Sequence, residues 1–191
     1  ARLIAPAVPA LAESASAEFP LRLNTGRIRD QWHTMTRSGL SPKLAQHLPE
    51  PFVEINPDDA RQYGVLDRAF VRLRSSQGNA IFRVRIDGGQ QRGSVFAPIH
   101  WNDVTAASAR CDALVAPFTD PFSGQPEAKA TPVVLECIRF PQAGFVISSE
   151  PVDLPREMFW SRVTLEGGEG MLFAADKDLS LIHISEPTRL R

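Results

Sequence analysis

The sequence predicts a mainly β fold in which short strands close into a barrel with brief helices between them. Six or more segments between residues 19 and 151 alternate apolar and polar residues or are mainly apolar, which is typical of strands. Two of these segments flank the turn sequence SSQG, which predicts a β-hairpin. A helical pattern lies between an earlier strand and that hairpin. This strand–helix–strand order favours a crossover inside a small barrel over an up-and-down meander.

The first half of the predicted elements begins with FPLRLNT (Phe19–Thr25), an alternating strand that ends at a Thr-Gly turn. IRDQWHTMT (28–36) predicts a short helix after that turn. SPKLAQHL (41–48) predicts another, because Pro42 suits a first helical position. FVEIN (Phe52–Asn56) predicts the next strand.

The second half begins with PDDARQYGV (57–65), a short capped helix with proline at its entry, acids in its first turn and a glycine at its close. AFVRLRSSQGNAIFRVRI (69–86) alternates on both sides of its turn and predicts the hairpin. DGGQQRG predicts a loop. Three further strands follow in SVFAPIHW (94–101), TPVVLECIRF (131–140) and AGFVISSEP (143–151).

The amino-acid composition of the chain excludes several classes of function. The chain has 191 residues, 43% of them hydrophobic, and a net charge of −1. It can bury a core, and its charge predicts neither a nucleic-acid partner nor a membrane surface. No apolar run approaches the roughly 18–20 residues that span a bilayer. Cys111 and Cys137 lack CxxC spacing, so we expect reduced structural thiols and no metal site within this chain.

Both ends of the chain differ from the middle. Residues 1–18 are rich in Ala, Pro and Ser without a basic leader region, which predicts a linker from an upstream domain. Residues 179–189 read LSLIHISEPTR, which resembles the codon-by-codon translation of a transposase-based sequencing-library adapter. The alternative is that this segment forms a short strand followed by a turn. We therefore exclude 179–191, with His183, from fold reasoning and expect the natural protein to continue at both ends.

The stretch NTGRIRDQWHTMTR (24–37) concentrates hydrogen-bond donors at the end of a strand. A Thr-Gly turn leaves backbone N–H groups free where glycine permits close approach, and a helix after it would add more. Arg27 offers a planar fork suited to phosphate, while Trp32 and His33 offer a flat face and a neutral donor. Together they predict a cradle for a phosphorylated ligand with an aromatic ring. The alternatives are an ordinary turn with an exposed arginine, a core tryptophan and a structural histidine.

Several motifs in fixed order carry a family resemblance. LNTGR, QWHTMTR, EINPDDARQYGVLD, the hairpin, GSVFAPIHW and TDPFSGQPEAK resemble the C-terminal domain of molybdopterin oxidoreductases that carry Mo-bis(molybdopterin guanine dinucleotide). GRIRDQWHTMTRSGL and DALVAPFTDPFSGQPEAK resemble the assimilatory nitrate reductase catalytic subunits in particular. The segment AGFVISSEPVDLP resembles the region before their C-terminal iron–sulfur extension.

The resemblance implies a six-stranded double-psi β-barrel over residues 19–136 and a truncated C-terminal extension over 137–178. It also implies a set of cofactor-binding residues, and no catalytic or metal-ligating ones, in this chain. Lys129 matches a cofactor-contacting lysine, where a solvated loop lysine is the alternative, and His100 is a cofactor or funnel residue unless it is a packed histidine. Asp112 stands where relatives often have Asn, and a carboxylate accepts hydrogen bonds but cannot donate as an amide does. The implied cofactor-binding residues are Thr25, Gly26, Arg27, Gln31, Trp32, His33, Thr34, His100, Asp112 and Lys129.

The resemblance further implies reduction of nitrate to nitrite by the full enzyme, with the molybdenum ligand and an iron–sulfur cluster upstream of Ala1. Ferredoxin, flavodoxin or an NADH-linked reductase would be the electron donor, and the enzyme would be cytoplasmic. This fragment alone is expected to be inactive. Two alternatives stay open: the same domain of a formate dehydrogenase or another molybdopterin oxidoreductase, and a stand-alone, non-enzymatic barrel module.

Overall fold

The computed structural model describes residues 10–176, which form a barrel and a second sheet with two short α-helices. The helices are α1 (Pro42–Ala45) and α2 (Pro57–Gln62), and two single turns of 3-10 helix cover Ser38–Leu40 and Cys111–Leu114. The strands are β1 (Leu21–Gly26), β2 (Phe52–Ile55), β3 (Phe70–Arg74), β4 (Asn79–Ile86), β5 (Ser94–Pro98), β6 (Ala106–Ala107), β7 (Thr131–Ile138), β8 (Gln142–Ser148), β9 (Phe159–Leu165) and β10 (Gly168–Ala175).

Six strands close the barrel in the order β1-β5-β2-β4-β3-β7. The pairs β1/β5 and β2/β4 are parallel, and the other neighbours are antiparallel. A parallel pair needs a crossover connection, and α2 lies in the one between β2 and β4. The six-stranded double-psi barrel with short crossover helices, expected from the sequence, is confirmed.

The barrel interior explains why these segments are strands. Leu23, Val53, Val71, Val84 and Val95 are fully buried and belong to one apolar cluster. Period-2 alternation brings each of them to the inner face of its strand. Burying such a side chain contributes about 1.5–3 kcal/mol. The strand alternation read from the sequence therefore reflects one shared core.

The two α-helices begin as their proline positions predict. Pro42 stands in the first turn of α1 and Pro57 in the first turn of α2. The Asn56 side chain caps α2 by accepting a hydrogen bond from the Asp58 N–H at 2.8 Å. Asp59 in the same helix is buried and accepts a hydrogen bond from the Gly93 N–H at 2.6 Å, so α2 is tied to the loop that leads into β5.

A second sheet, in the order β6-β9-β10-β8, lies beside the barrel. The sequence predicted β8 but neither β6 nor the β9/β10 hairpin. Two side chains of β9 tie this sheet to barrel loops: Ser161 Oγ donates to the Pro49 carbonyl at 2.9 Å, and Thr164 Oγ1 donates to the Gly39 carbonyl. Strand β7 crosses the predicted boundary at residue 136 and ends at Ile138, and the division into domains stays a prediction.

One predicted element is wrong. Residues 28–36 form a series of turns rather than a short helix. His33 and Met35 have φ values of +39° and +63°, in the left-handed region that a right-handed helix excludes. The donors expected from a helix N-terminus therefore have to come from loop backbone instead.

The predicted adapter translation at 179–191 and most of the predicted linker (residues 1–9) lie outside the described residues. Within 10–176, no helix has the length and apolar character needed to cross a lipid bilayer.

Candidate functional site

The candidate site lies where β1 and β5 end together. Because the two strands are parallel and Gly26 pairs with Pro98, the segments that follow them leave the same edge of the barrel. A third segment joins them there: buried Thr25 donates from Oγ1 to the Ala128 carbonyl at 2.7 Å, and Lys129 Nζ donates to the Thr25 carbonyl. Lys129 is therefore anchored at this edge by one hydrogen bond, while its side chain stays exposed to solvent.

Gly26 is required by packing at this edge. A Cβ atom on Gly26 would lie 2.7 Å from Cε2 of the Phe96 ring. That ring comes from β5 and contacts the apolar cluster beneath the site. The absence of a side chain at Gly26 thus lets the end of β1 approach its neighbouring strand closely.

His100 lies beneath the loop formed by residues 27–36, which we call the 27–36 loop. Its side chain is fully buried. The Ile28 N–H donates to His100 Nε2 at 3.0 Å, and Nδ1 is hydrogen-bonded to the His33 carbonyl. Since a carbonyl only accepts, Nδ1 carries the proton and the ring is neutral. Burial lowers the pKa of His100, which agrees with a neutral ring.

Gln31 and Ser38 order the middle of the 27–36 loop. Ser38 Oγ accepts a hydrogen bond from the Trp32 N–H at 2.9 Å and donates to Gln31 Oε1 at 2.6 Å, and both side chains are buried. Trp32 is 49% exposed, so it is not a core aromatic. Its ring meets the exposed His33 ring edge-to-face at a centroid distance of 4.4 Å. One side of the loop is thus fixed while two aromatic rings face solvent.

Charge in the loop is unevenly compensated. Arg29 forms two hydrogen bonds to Asp30, and together with His47 it holds the pKa of that carboxyl at about 2. Within residues 10–176, Arg27 is exposed and its guanidinium has neither an ion-pair nor a hydrogen-bond partner. The backbone N–H groups of Arg27, His33 and Thr34 also donate to no other described residue. Free N–H groups beside a free guanidinium are what an anion such as a phosphate requires.

Asp112 and Lys129 both act on one buried thiol. Burial, and next the Asp112 carboxylate, raise the pKa of Cys111 to about 12, while Lys129 opposes this shift. Asp112 is exposed in its 3-10 helix, and the Cys111 Sγ–Oδ1 distance is 3.7 Å. Asp112 and Lys129 thus lie at the same end of the barrel as the 27–36 loop, although both are distant from that loop in sequence.

Sequence reasoning missed Ser38, described above, and Asn102. Asn102 Nδ2 donates to the Thr34 carbonyl at 3.4 Å, so the chain after β5 also holds the end of the loop. Its place in PIHWND, next to the singled-out His100, was an available signal. A cavity of about 340 Å³ lies between the loop, α1 and β9. Gln31, Thr34 and Asn102 contribute to its lining, whereas Arg27 and Lys129 do not. Within the described residues no cluster of His, Cys, Asp and Glu could hold a metal ion.

The site falls inside a segment with a known sequence signature. Residues 21–132 match the family described as the molydopterin dinucleotide binding domain. The chain belongs to this family. The donors of the 27–36 loop that have no partner among residues 10–176 and the anchored Lys129 fit a dinucleotide, whose phosphates need cations and N–H groups.

Longer proteins contain the same segment. The chain is 44% identical over 163 residues to a nitrate reductase of Klebsiella oxytoca, covering 85% of this chain and 19% of the relative. It is 32% identical over 126 residues to the alpha subunit of a formate dehydrogenase of Methanococcus maripaludis, covering 66% of this chain and 18% of that protein. The chain thus spans about a fifth of these relatives. The solved acetylene hydratase of Pelobacter acetylenicus shares the fold, with a TM-score of 0.50 and 16% identity over 62% of this chain and 18% of its own.

Proposed function

We propose that this domain binds the guanine dinucleotide part of Mo-bis(molybdopterin guanine dinucleotide) in a molybdenum-dependent nitrate reductase that converts nitrate to nitrite. One observation carries the proposal: the loop that follows β1, inside the segment that matches the family, holds a guanidinium and backbone N–H groups without partners among residues 10–176, together with exposed aromatic rings. The 44% identity to a nitrate reductase over 85% of the chain supports nitrate as the substrate.

Each site residue has a role that its contacts support. Arg27 would bind pyrophosphate oxygens with its free guanidinium, beside the N–H groups at the end of β1. Lys129 adds a second positive charge at the same edge. Trp32 and His33 offer exposed faces for the guanine ring.

The remaining predicted residues act around them. Buried Gln31 fixes the backbone from which Trp32 projects. Thr34 offers an exposed hydroxyl and an N–H that donates to none of residues 10–176, while Asp112 would accept hydrogen bonds from the cofactor. Thr25 and Gly26 keep the strand end in place.

When bound, the cofactor supplies the redox metal at which nitrate gives up an oxygen atom. The domain's own part is to bind and orient the dinucleotide, which is the protein's usual contribution in a cofactor enzyme. We assign the molybdenum ligand and a 4Fe-4S cluster to the part of the protein upstream of this chain. We also propose nitrate assimilation in the cytoplasm, with ferredoxin, flavodoxin or an NADH-linked reductase as donor. The fragment alone would be inactive.

A formate dehydrogenase is the second candidate, supported by the 32% identity to a formate dehydrogenase subunit. The test is to recover the flanking coding sequence from the source DNA and assay the complete protein. We expect nitrate-dependent oxidation of reduced methyl viologen and co-purified molybdenum. Formate-dependent reduction of oxidised viologen, without nitrate activity, would support the second candidate. A start codon just upstream and no molybdenum would refute both and leave a stand-alone module.

A further inference from the structure

We infer that His100 is a positioning residue of the dinucleotide site, which fixes the 27–36 loop from beneath without contacting the ligand. This inference rests on the proposed function, because the loop it fixes carries Arg27, Trp32 and His33. Of the two readings that the sequence left open for His100, a cofactor or funnel residue and a packed histidine, the inference favours the second.

The first argument is geometric. The His100 ring is fully buried, and both of its nitrogens are occupied by backbone groups of the loop. One nitrogen accepts from Ile28 and the other donates to His33, so a single side chain joins two points five residues apart. No polar atom of the ring remains for a ligand. A contact with the cofactor would require breaking one of these two hydrogen bonds.

The second argument concerns the backbone of the loop. The structure shows turns over residues 27–36, so regular secondary structure does not define its shape. His33 adopts φ +39°, which is unfavourable for a residue with a side chain and persists only where the surroundings enforce it. The carbonyl of this residue is the one that His100 binds. His100 therefore holds His33 in the conformation that presents its ring to solvent.

The third argument is that the two residues after His100 also hold the 27–36 loop in place. Trp101 is buried in the apolar cluster that contains Met35 of the loop, and Asn102 donates to the Thr34 carbonyl. Three successive residues after β5 thus hold the loop. His100 differs from the other two because both of its hydrogen bonds go to backbone groups of the loop, one accepted and one donated, and this pair of roles requires the neutral ring.

The test uses substitutions that separate the two hydrogen bonds. His100→Asn retains a polar group near the Nδ1 position, and His100→Gln retains one near the Nε2 position, whereas His100→Leu removes both. The probe is GDP, titrated calorimetrically into the 191-residue chain. Val71→Ala, at a fully buried barrel position opposite Cys137 near the other end of β7, is the control for a general loss of stability.

We expect each single-bond variant to weaken GDP binding about fivefold, and His100→Leu about thirtyfold, from the typical net value of one hydrogen bond. Val71→Ala should bind GDP within about twofold of wild type although it unfolds more easily. Wild-type affinity in all three His100 variants would overturn the inference. If His100→Leu does not fold, the Asn and Gln variants decide.

A second readout needs no ligand. The ¹⁵N spectrum of the His100 ring should show protonated Nδ1 and unprotonated Nε2, and the Ile28 amide should exchange faster in His100→Asn than in wild type. A ring protonated at Nε2 would overturn the inference. If the wild-type chain fails to bind GDP while these NMR signals are as expected, the proposed function loses its support but the role of His100 in the loop stands.

Discussion

Substituting Gly26 tests whether the end of β1 depends on its close approach to Phe96. In Gly26→Ala, the new Cβ would lie 2.7 Å from Cε2 of the Phe96 ring, whereas ordinary contacts begin at 3.4 Å. The ring belongs to the cluster that contains buried Phe52, at a centroid distance of 6.5 Å, which limits how far it can swing away. Overpacking of this kind costs about 1–3 kcal/mol. We expect the free energy of unfolding to fall by that amount.

A double-mutant cycle attributes the loss to this contact. Phe96→Leu removes the ring atoms that the new Cβ would meet, at a cost of about 1 kcal/mol of its own. In the double variant the two losses should not add, with a favourable coupling of about 1–2 kcal/mol. Gly88→Ala is the control, because no atom lies within 4 Å of its Cβ position. It should change stability by less than about 0.5 kcal/mol.

The assay is urea unfolding of the 191-residue chain, with thermal unfolding as a check. For a chain of this size, 1 kcal/mol corresponds to a shift of about 2–4 °C in Tm. Since Gly26 precedes Arg27, we also expect Gly26→Ala to weaken GDP binding. A Gly26→Ala chain as stable as the Gly88→Ala control, or a double variant whose losses simply add, would refute the packing argument.

Four further predictions concern charge, thiol chemistry and capping. Arg27→Gln should weaken GDP binding about ten- to a hundredfold, the usual range for a charged hydrogen bond. The control Arg139→Gln, just beyond the far end of β7, should leave GDP binding unchanged. Equal effects of the two substitutions would contradict a localised anion site. At pH 8, Ellman's reagent should label exposed Cys137 and reach Cys111 only after unfolding. The pKa of Cys111 is about 12 in the folded chain, against an ordinary value of 9. The free energy of unfolding should therefore be unaffected by this thiol below pH 9 and should decrease as the pH rises above 9. Urea unfolding at a series of alkaline pH values measures this decrease. Asn56→Ala should cost about 1 kcal/mol through loss of the α2 cap, and an unchanged urea midpoint would argue against that cap.

The barrel was predictable where local pattern and tertiary packing agree. The β3/β4 hairpin alternates because one face of each strand lies in the core, and the start of α2 follows from Asn56 and Pro57. The β9/β10 hairpin had a readable signal too, since Gly167 at φ +79° stands in a two-residue connection between apolar strands. The β9/β10 hairpin was nevertheless not predicted from the sequence.

The shape of the 27–36 loop was not predictable from its own residues. IRDQWHTMT has an acceptable helical pattern, but its conformation depends on His100, 72 residues from Ile28 and 67 from His33. Likewise, Thr25 meets Ala128 over a separation of 103 residues. Residue types indicated which side chains could serve as donors, whereas the fold determines which of them remain free.

The barrel closes through strands that are distant along the chain, and this has a consequence for folding. Leu21 of β1 pairs with Val133 of β7, and its other neighbour, β5, begins only at Ser94. During synthesis both edges of β1 therefore stay unpaired until most of the domain has left the ribosome. Such long-range pairing makes folding slow and leaves apolar strands exposed meanwhile. A nascent chain stopped before Thr131, where β7 begins, would expose one edge of β1 and one of β3, and we expect it to aggregate or to be degraded rather than to bind its ligand.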